Sequence, residues 1–171
     1  MAQFAAQGVL FTNATALKSG AVGGSLNEFD FPPHSGVTVV GLGTDMSGNS
    51  IPGTDNTQPM IVTFLAPHTS VSGWVTYTDP LTLKAFDPAG NLLAILNSTA
   101  SSNLGSNENF LFAGIGQISS IQISEGGSPG SRAFMLDDLQ ATPEPTSLVL
   151  LASGVGAVWL RRSRRSRKLL I

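Results

Sequence analysis

The chain has 171 residues, 19 of them glycine and none cysteine. Only 12% of residues are charged, about half the usual share, which argues against a helical bundle. A hydrophobic content of 42% argues equally against a disordered chain. The missing cysteines exclude disulfides, thiolate metal sites, thiol catalysis and haem attachment. The net charge of −2 is unevenly spread: residues 1–142 hold Lys18, Lys84 and Arg132 against ten acids, a net −7, whereas the last eleven residues hold six of the nine basic groups. An acidic body repels nucleic acid, so no nucleic-acid partner is expected and the tail reads as facing a membrane surface.

From the N-terminus, Met1 to Phe11 has no cationic start, no apolar stretch of seven and no small-residue cleavage site, so it is not a secretory signal as written. Residues 9–142 read as β-structure. Val37–Val40, Met60–Leu65, Val71–Tyr77, Leu81–Phe86, Leu92–Leu96, Asn109–Ala113, Ile118–Ile123 and Ala133–Leu136 are β-branched and aromatic runs of strand length. Leu81, Leu83 and Ala85 alternate and are expected to face inward. Thr44 to Gln58, polar and glycine-bearing, reads as a long loop. Asp87-Pro88-Ala89-Gly90-Asn91 has proline at the first turn residue and glycine for a left-handed position, which closes a hairpin. Many short strands at this spacing predict an all-β antiparallel sandwich over residues 1–141.

The C-terminus changes character. Pro143-Glu144-Pro145 cannot continue a helix, so residues 142–145 read as a linker. Thr146 to Leu160 is fifteen residues without a charge, between the length of a core helix and that of a full span. Arg161, Arg162, Arg164, Arg165, Arg167 and Lys168 follow directly, the pattern of a short transmembrane helix held by cations on the cytoplasmic side, with Trp159 at the interface. Residues 146–171 are therefore expected to form one transmembrane helix with a basic tail.

These three elements in this order resemble the PEP-CTERM sorting signal of Gram-negative bacteria, over roughly residues 143–168. The resemblance implies recognition of Pro143, Glu144 and Pro145 by an exosortase, an inner-membrane intermediate, and delivery to the cell surface or extracellular matrix, where exopolysaccharide is the implied partner. Residues 60–140 also resemble the jelly-roll ectodomain found upstream of such tails: a strand, a Trp/Tyr-bearing strand, the Ala85–Asn91 hairpin, and a last strand ending in Asp137-Asp138. That resemblance implies a signal peptide and one strand ahead of Met1.

Chemistry-bearing residues are few. His34 and His68 read as loop histidines without ligand-spaced partners, and Glu28 and Asp30 as an acidic strand edge. No catalytic motif is present, so no enzyme is expected. Asp137 and Asp138 are candidate ligands of a structural Ca2+, on the jelly-roll resemblance; the alternative is that one pairs with Arg132 or caps a turn. No other cofactor is expected. Trp74 and Tyr77, candidate glycan contacts, stand three apart and so on opposite faces of a regular strand. The expected role is that of a non-catalytic structural or interaction protein of the biofilm matrix, and the alternative is a carbohydrate-binding module. Trp74 buried between sheets favours the first, and Trp74 exposed beside a groove the second.

Overall fold

A computed structural model describes residues 4–18, 30–43, 54–55, 57–126 and 133–143. After a 3-10 turn at Ala5–Gln7 come eight strands: β1 (Val9–Thr12), β2 (Thr15–Lys18), β3 (Thr38–Gly43), β4 (Met60–Tyr77), β5 (Leu81–Phe86), β6 (Leu92–Asn97), β7 (Glu108–Glu125) and β8 (Ala133–Pro143). Every pairing is antiparallel. The all-β antiparallel fold expected from the strand pattern is present. The expected transmembrane helix, Glu144, Pro145 and the basic cluster lie outside the described residues. Among the described residues, no helix is long and apolar enough to cross a membrane.

Two expectations are corrected. Met60–Leu65 and Val71–Tyr77 are one strand, β4, and Asn109–Ala113 and Ile118–Ile123 are likewise one strand, β7. The interruptions between those runs are corners. In β4 the register shifts around Pro67 and His68, where proline offers no ladder donor. In β7 the corner is Gly114 and Gly116, at φ +68° and +113°, conformations that side chains with a Cβ rarely adopt. Each long strand therefore serves two layers. In the first layer the N-terminal part of β4 lies between β1 and the C-terminal part of β7, followed by β5 and β6. In the second, the order is β2, β3, β8, the C-terminal part of β4, then the N-terminal part of β7.

The core lies between these layers. Phe11, Met60, Val62, Leu81, Leu83, Ala85, Ile121 and Ile123 from the first meet Val40, Leu42, Val71, Val75, Tyr77, Phe112, Phe134 and Leu136 from the second in one buried cluster. Each large side chain so buried contributes about 1.5–3 kcal/mol of transfer free energy, which is how a chain without disulfides holds a sandwich. The expected inward set of Leu81, Leu83 and Ala85 is buried as read. The hairpin between β5 and β6 also forms as read: Asp87 Oδ1 accepts the amides of Ala89 and Asn91, and Gly90 stands at φ +83°. β8 runs past the acidic pair to Pro143, two residues into the span read as a linker. Pro143 lies opposite His68, and Thr142 opposite Ser70.

Candidate functional site

The outer side of the second layer carries a feature that local patterning does not show. Asp30 to Val37 folds back across β3 and β8 as a strap. Phe31 anchors it, 4% exposed, in a small second core with Val39, Ala133 and Met135, and Leu17 packs alongside. This core lies outside the sandwich, because Val39, Ala133 and Met135 alternate with the inward-facing Val40, Phe134 and Leu136. The strap is also tied to the loop before β7, where the Gly105 amide donates to the Asp30 carbonyl at 2.9 Å. Gly36, at φ +61°, turns the chain into β3.

The centre of the strap is held by the acidic pair. The amides of His34 and Ser35 donate to Asp137 Oδ2 at 2.7 and 3.0 Å, and the Asp138 amide donates to Asp137 Oδ1 at 2.8 Å. Ser35 Oγ donates to Asp138 Oδ1 at 2.5 Å, and His34 Nδ1 meets Asp138 Oδ2 at 2.7 Å. Hydrogen bonds from Ser35 and then His34 hold the Asp138 carboxyl below the usual range. Because Asp138 is ionised, the proton of a neutral His34 sits on Nδ1, leaving Nε2 as an acceptor.

In a regular strand, two consecutive aspartates would point one inward and one outward. Instead Asp138 takes φ +45° at an irregularity opposite Ser72 and Trp74, and both carboxylates reach the same strap. The pair therefore caps a loop, the alternative weighed against calcium. Its oxygens already face N–H and O–H donors, where Ca2+ needs six to eight oxygen ligands. Among the described residues no three His, Asp or Glu side chains gather as a metal site. The residues present do not fit a calcium ion. Arg132 lies outside the described residues.

The His34 ring stacks on Trp74, centroids 3.9 Å apart and 9° from parallel. Trp74 is half-buried and lies on the outer face, between Asn109 of β7 and Asp137 of β8. Tyr77 is on the opposite side, as the spacing implied. It is fully buried in the sandwich core, and its hydroxyl donates to Glu108. Burial, with that bond, pushes its phenol above the ordinary value. Tyr77 is thus a core residue and touches no glycan on the surface.

Beyond Trp74, no described segment covers the outer face. Leu111, Ser72 and Gln140 form one cross-strand row, and Ala113, Ser70 and Thr142 the next. Leu111 is 57% exposed. The Asn109 amide donates to the Gly73 carbonyl at 3.0 Å, which keeps it flat against the sheet.

Two clefts flank this face. One, of about 210 Å3, lies behind the acidic pair and includes Phe4, Phe11, Val40 and Leu139. The other, of about 230 Å3, opens between β6 and β7 and includes Leu96, Asn97, Glu108 and Leu111. There Glu108 is engaged by Tyr77 and by the Thr99 amide at 2.9 Å. Neither cleft sets two free carboxylates across a gap, as glycoside hydrolysis requires.

The remaining histidine, His68, sits in the β4 corner and not in a loop. It meets the Phe64 ring edge-on at 4.9 Å, with its buried Nδ1 unpartnered.

No protein-family model matches the chain, and no curated protein matches it. Solved structures similar to it include TmCBM61 in complex with β-1,4-galactotriose, at 14% identity and TM-score 0.49, covering 80% of this chain and 88% of that one. The K3 adhesin domain of Lys-gingipain from Porphyromonas gingivalis overlaps at 14% identity and TM-score 0.43, covering 77% and 91%. The CBM22-1–GH10 modules of Clostridium thermocellum xylanase 10B, complexed with xylohexaose, overlap at 10% identity and TM-score 0.37, covering 81% of this chain and 26% of theirs. All three scores are below 0.5, so these proteins are what the chain is similar to and they assign it neither ligand nor activity.

Proposed function

We propose that the sandwich is a non-catalytic carbohydrate-binding module that takes a polysaccharide on the outer face of its second layer. The observation that carries this reading is the placement of Trp74 outside the core, beneath His34 and beside an open surface of short polar side chains. A sugar ring has an apolar C–H face and a rim of hydroxyls. It is matched by flat aromatic or aliphatic surface with bifunctional hydrogen-bonding groups in the same plane. His34, Leu111, Asn109, Ser72 and Gln140 supply both kinds of contact.

The test is retention of the full-length chain, in mild detergent, on immobilised polysaccharides. Replacing Trp74 by Ala is expected to lower retention at least tenfold, and chelating calcium to leave it unchanged. Undiminished retention by the Trp74→Ala chain would place binding elsewhere.

Delivery to the cell surface is proposed from the tail. Its support is the order of Pro143-Glu144-Pro145, the uncharged run and the six cations. Processing by an exosortase in a Gram-negative host would remove the basic cluster. Intact mass of surface-released protein decides it, since material that still carries Trp159 and the arginines overturns the sorting reading.

A further inference from the structure

We infer that the glycan taken by this face is an uncharged one, a polymer of neutral hexoses or pentoses rather than uronates, sulfated sugars or amino sugars. The inference rests on the glycan-binding reading above and adds the chemical class of the ligand. Its basis is the juxtaposition of an aromatic stack with a surface of neutral hydrogen-bonding groups on which, among the described residues, no lysine or arginine stands. Lys18 and Lys84 are the only lysines or arginines among the described residues. Lys84 stands opposite Ile95 and Gln122 in the other layer. Lys18 ends β2, the outermost strand of this layer, separated from β4 by β3 and β8.

A carboxylate or sulfate on the glycan would arrive beside Asp138, where among the described residues no lysine or arginine meets it. The wider body, at −7 over residues 1–142, would oppose its approach further. An amino sugar meets the opposite obstacle. Asp138 is the carboxylate at this face, and both its oxygens are engaged by Ser35 and His34. An ammonium would have to displace a bond that holds the strap. Hydroxyls face no such conflict. Ser72, Ser70 and Thr142 both donate and accept, as does the amide of Gln140.

The experiment is affinity electrophoresis of the full-length chain through gels holding a neutral galactan or xylan, a polyuronate, or chitosan, at 20 and 200 mM salt. Expected is retardation by a neutral polymer that changes little with salt and falls at least tenfold in Trp74→Ala. Trp74-dependent binding of polyuronate, as distinct from Trp74-independent binding by the basic tail, is expected to be at least tenfold weaker, and Gln140→Lys, at an exposed position, to raise it. Should Trp74→Ala fail to fold, Leu111→Asp takes its place. Trp74-dependent retardation by polyuronate equal to that by the neutral polymers overturns the inference and leaves the glycan-binding reading standing. So does Trp74-dependent binding of chitosan that survives 200 mM salt and exceeds that of the neutral polymers. Trp74-independent retardation by every polymer, or retardation by none, overturns both.

Discussion

The outer faces of the two layers come from the same alternation and end differently. On the first layer the outward positions, among them Ile61, Lys84, Ile95 and Gln122, lie in register across four strands with no segment described over them. On the second layer the strap covers β3 and β8 with a core of its own and stops at Trp74, leaving β4 and β7 open. Strand periodicity alone makes a surface. A returning segment, anchored by one phenylalanine and two carboxylates, covers part of that surface and stacks His34 on Trp74 at its edge. Rigid placement matters for binding because ordering side chains at the moment of association costs affinity.

That difference can be broken most directly at Phe31. Phe31→Ala removes the strap's apolar anchor and is expected to cost roughly 3–4 kcal/mol in urea unfolding. A lowered midpoint together with a changed Trp74 near-ultraviolet signal would show strap and stack failing together. An unchanged midpoint would show that the strap does not contribute to stability.

A carboxylate at the end of the sandwich gives the contrast a second measure. Glu125 is 6% exposed. Its Oε1 accepts from the Thr78 amide and hydroxyl and the Asp79 amide, while Oε2 has no partner. Burial pushes its carboxyl up from 4.5 to about 7, against the lowering effect of those bonds. Since the folded value is raised, the protonated form is the one the fold favours. Its stabilisation is fully present below pH 4.5 and is lost as pH rises through 7. The shift corresponds to at most about 3 kcal/mol. Chemical denaturation across pH 5 to 8 is expected to show falling stability in the wild type and a flatter profile in Glu125→Gln. Equal slopes in the two chains would remove Glu125 as the cause.

Asp137→Ala is next in size. It leaves the amides of His34, Ser35 and Asp138 without their acceptor, and about 2 kcal/mol is expected to be lost. The His34–Trp74 stack is expected to loosen with it, which the Trp74 near-ultraviolet signal reads; a loss of stability with that signal intact would separate the two. The smallest effect belongs to the bare face. Lys84→Ala is expected to move stability by less than about 0.5 kcal/mol and to leave polysaccharide retention unchanged. A larger change at Lys84 would show that the first layer's outer face is also occupied.

Much of the sandwich was legible along the chain because its signals are local. The alternation of Leu81–Phe86 and the turn chemistry of Asp87–Asn91 each need only a few neighbouring residues, and both formed as read. The corners were legible as breaks but not as bends. Pro67, Gly114 and Gly116 interrupt a pattern whether the chain then turns away or crosses to the other layer, and only the partner strands distinguish the two. The site was least legible. The spacing of Trp74 and Tyr77 required opposite faces, yet which face is outside depends on what the other seven strands cover. The strap's key bonds join His34 to Asp137 and Asp138 across 103 and 104 residues, and Pro32-Pro33-His34-Ser35-Gly36 reads as an ordinary loop until those partners arrive.

By itself, then, the sequence determined the class of structure, its hairpin, its inward residues and the charge division between body and tail, because periodicity, turn residues and net charge are properties of short stretches. The tertiary structure alone decided that Tyr77 is core, that Trp74 is surface, and that Asp137 and Asp138 hold a loop. The reason is that each of these depends on which distant segment occupies the space above a strand, a choice made by the packing of Phe31 against Val39, Ala133 and Met135 and encoded in no neighbouring residue.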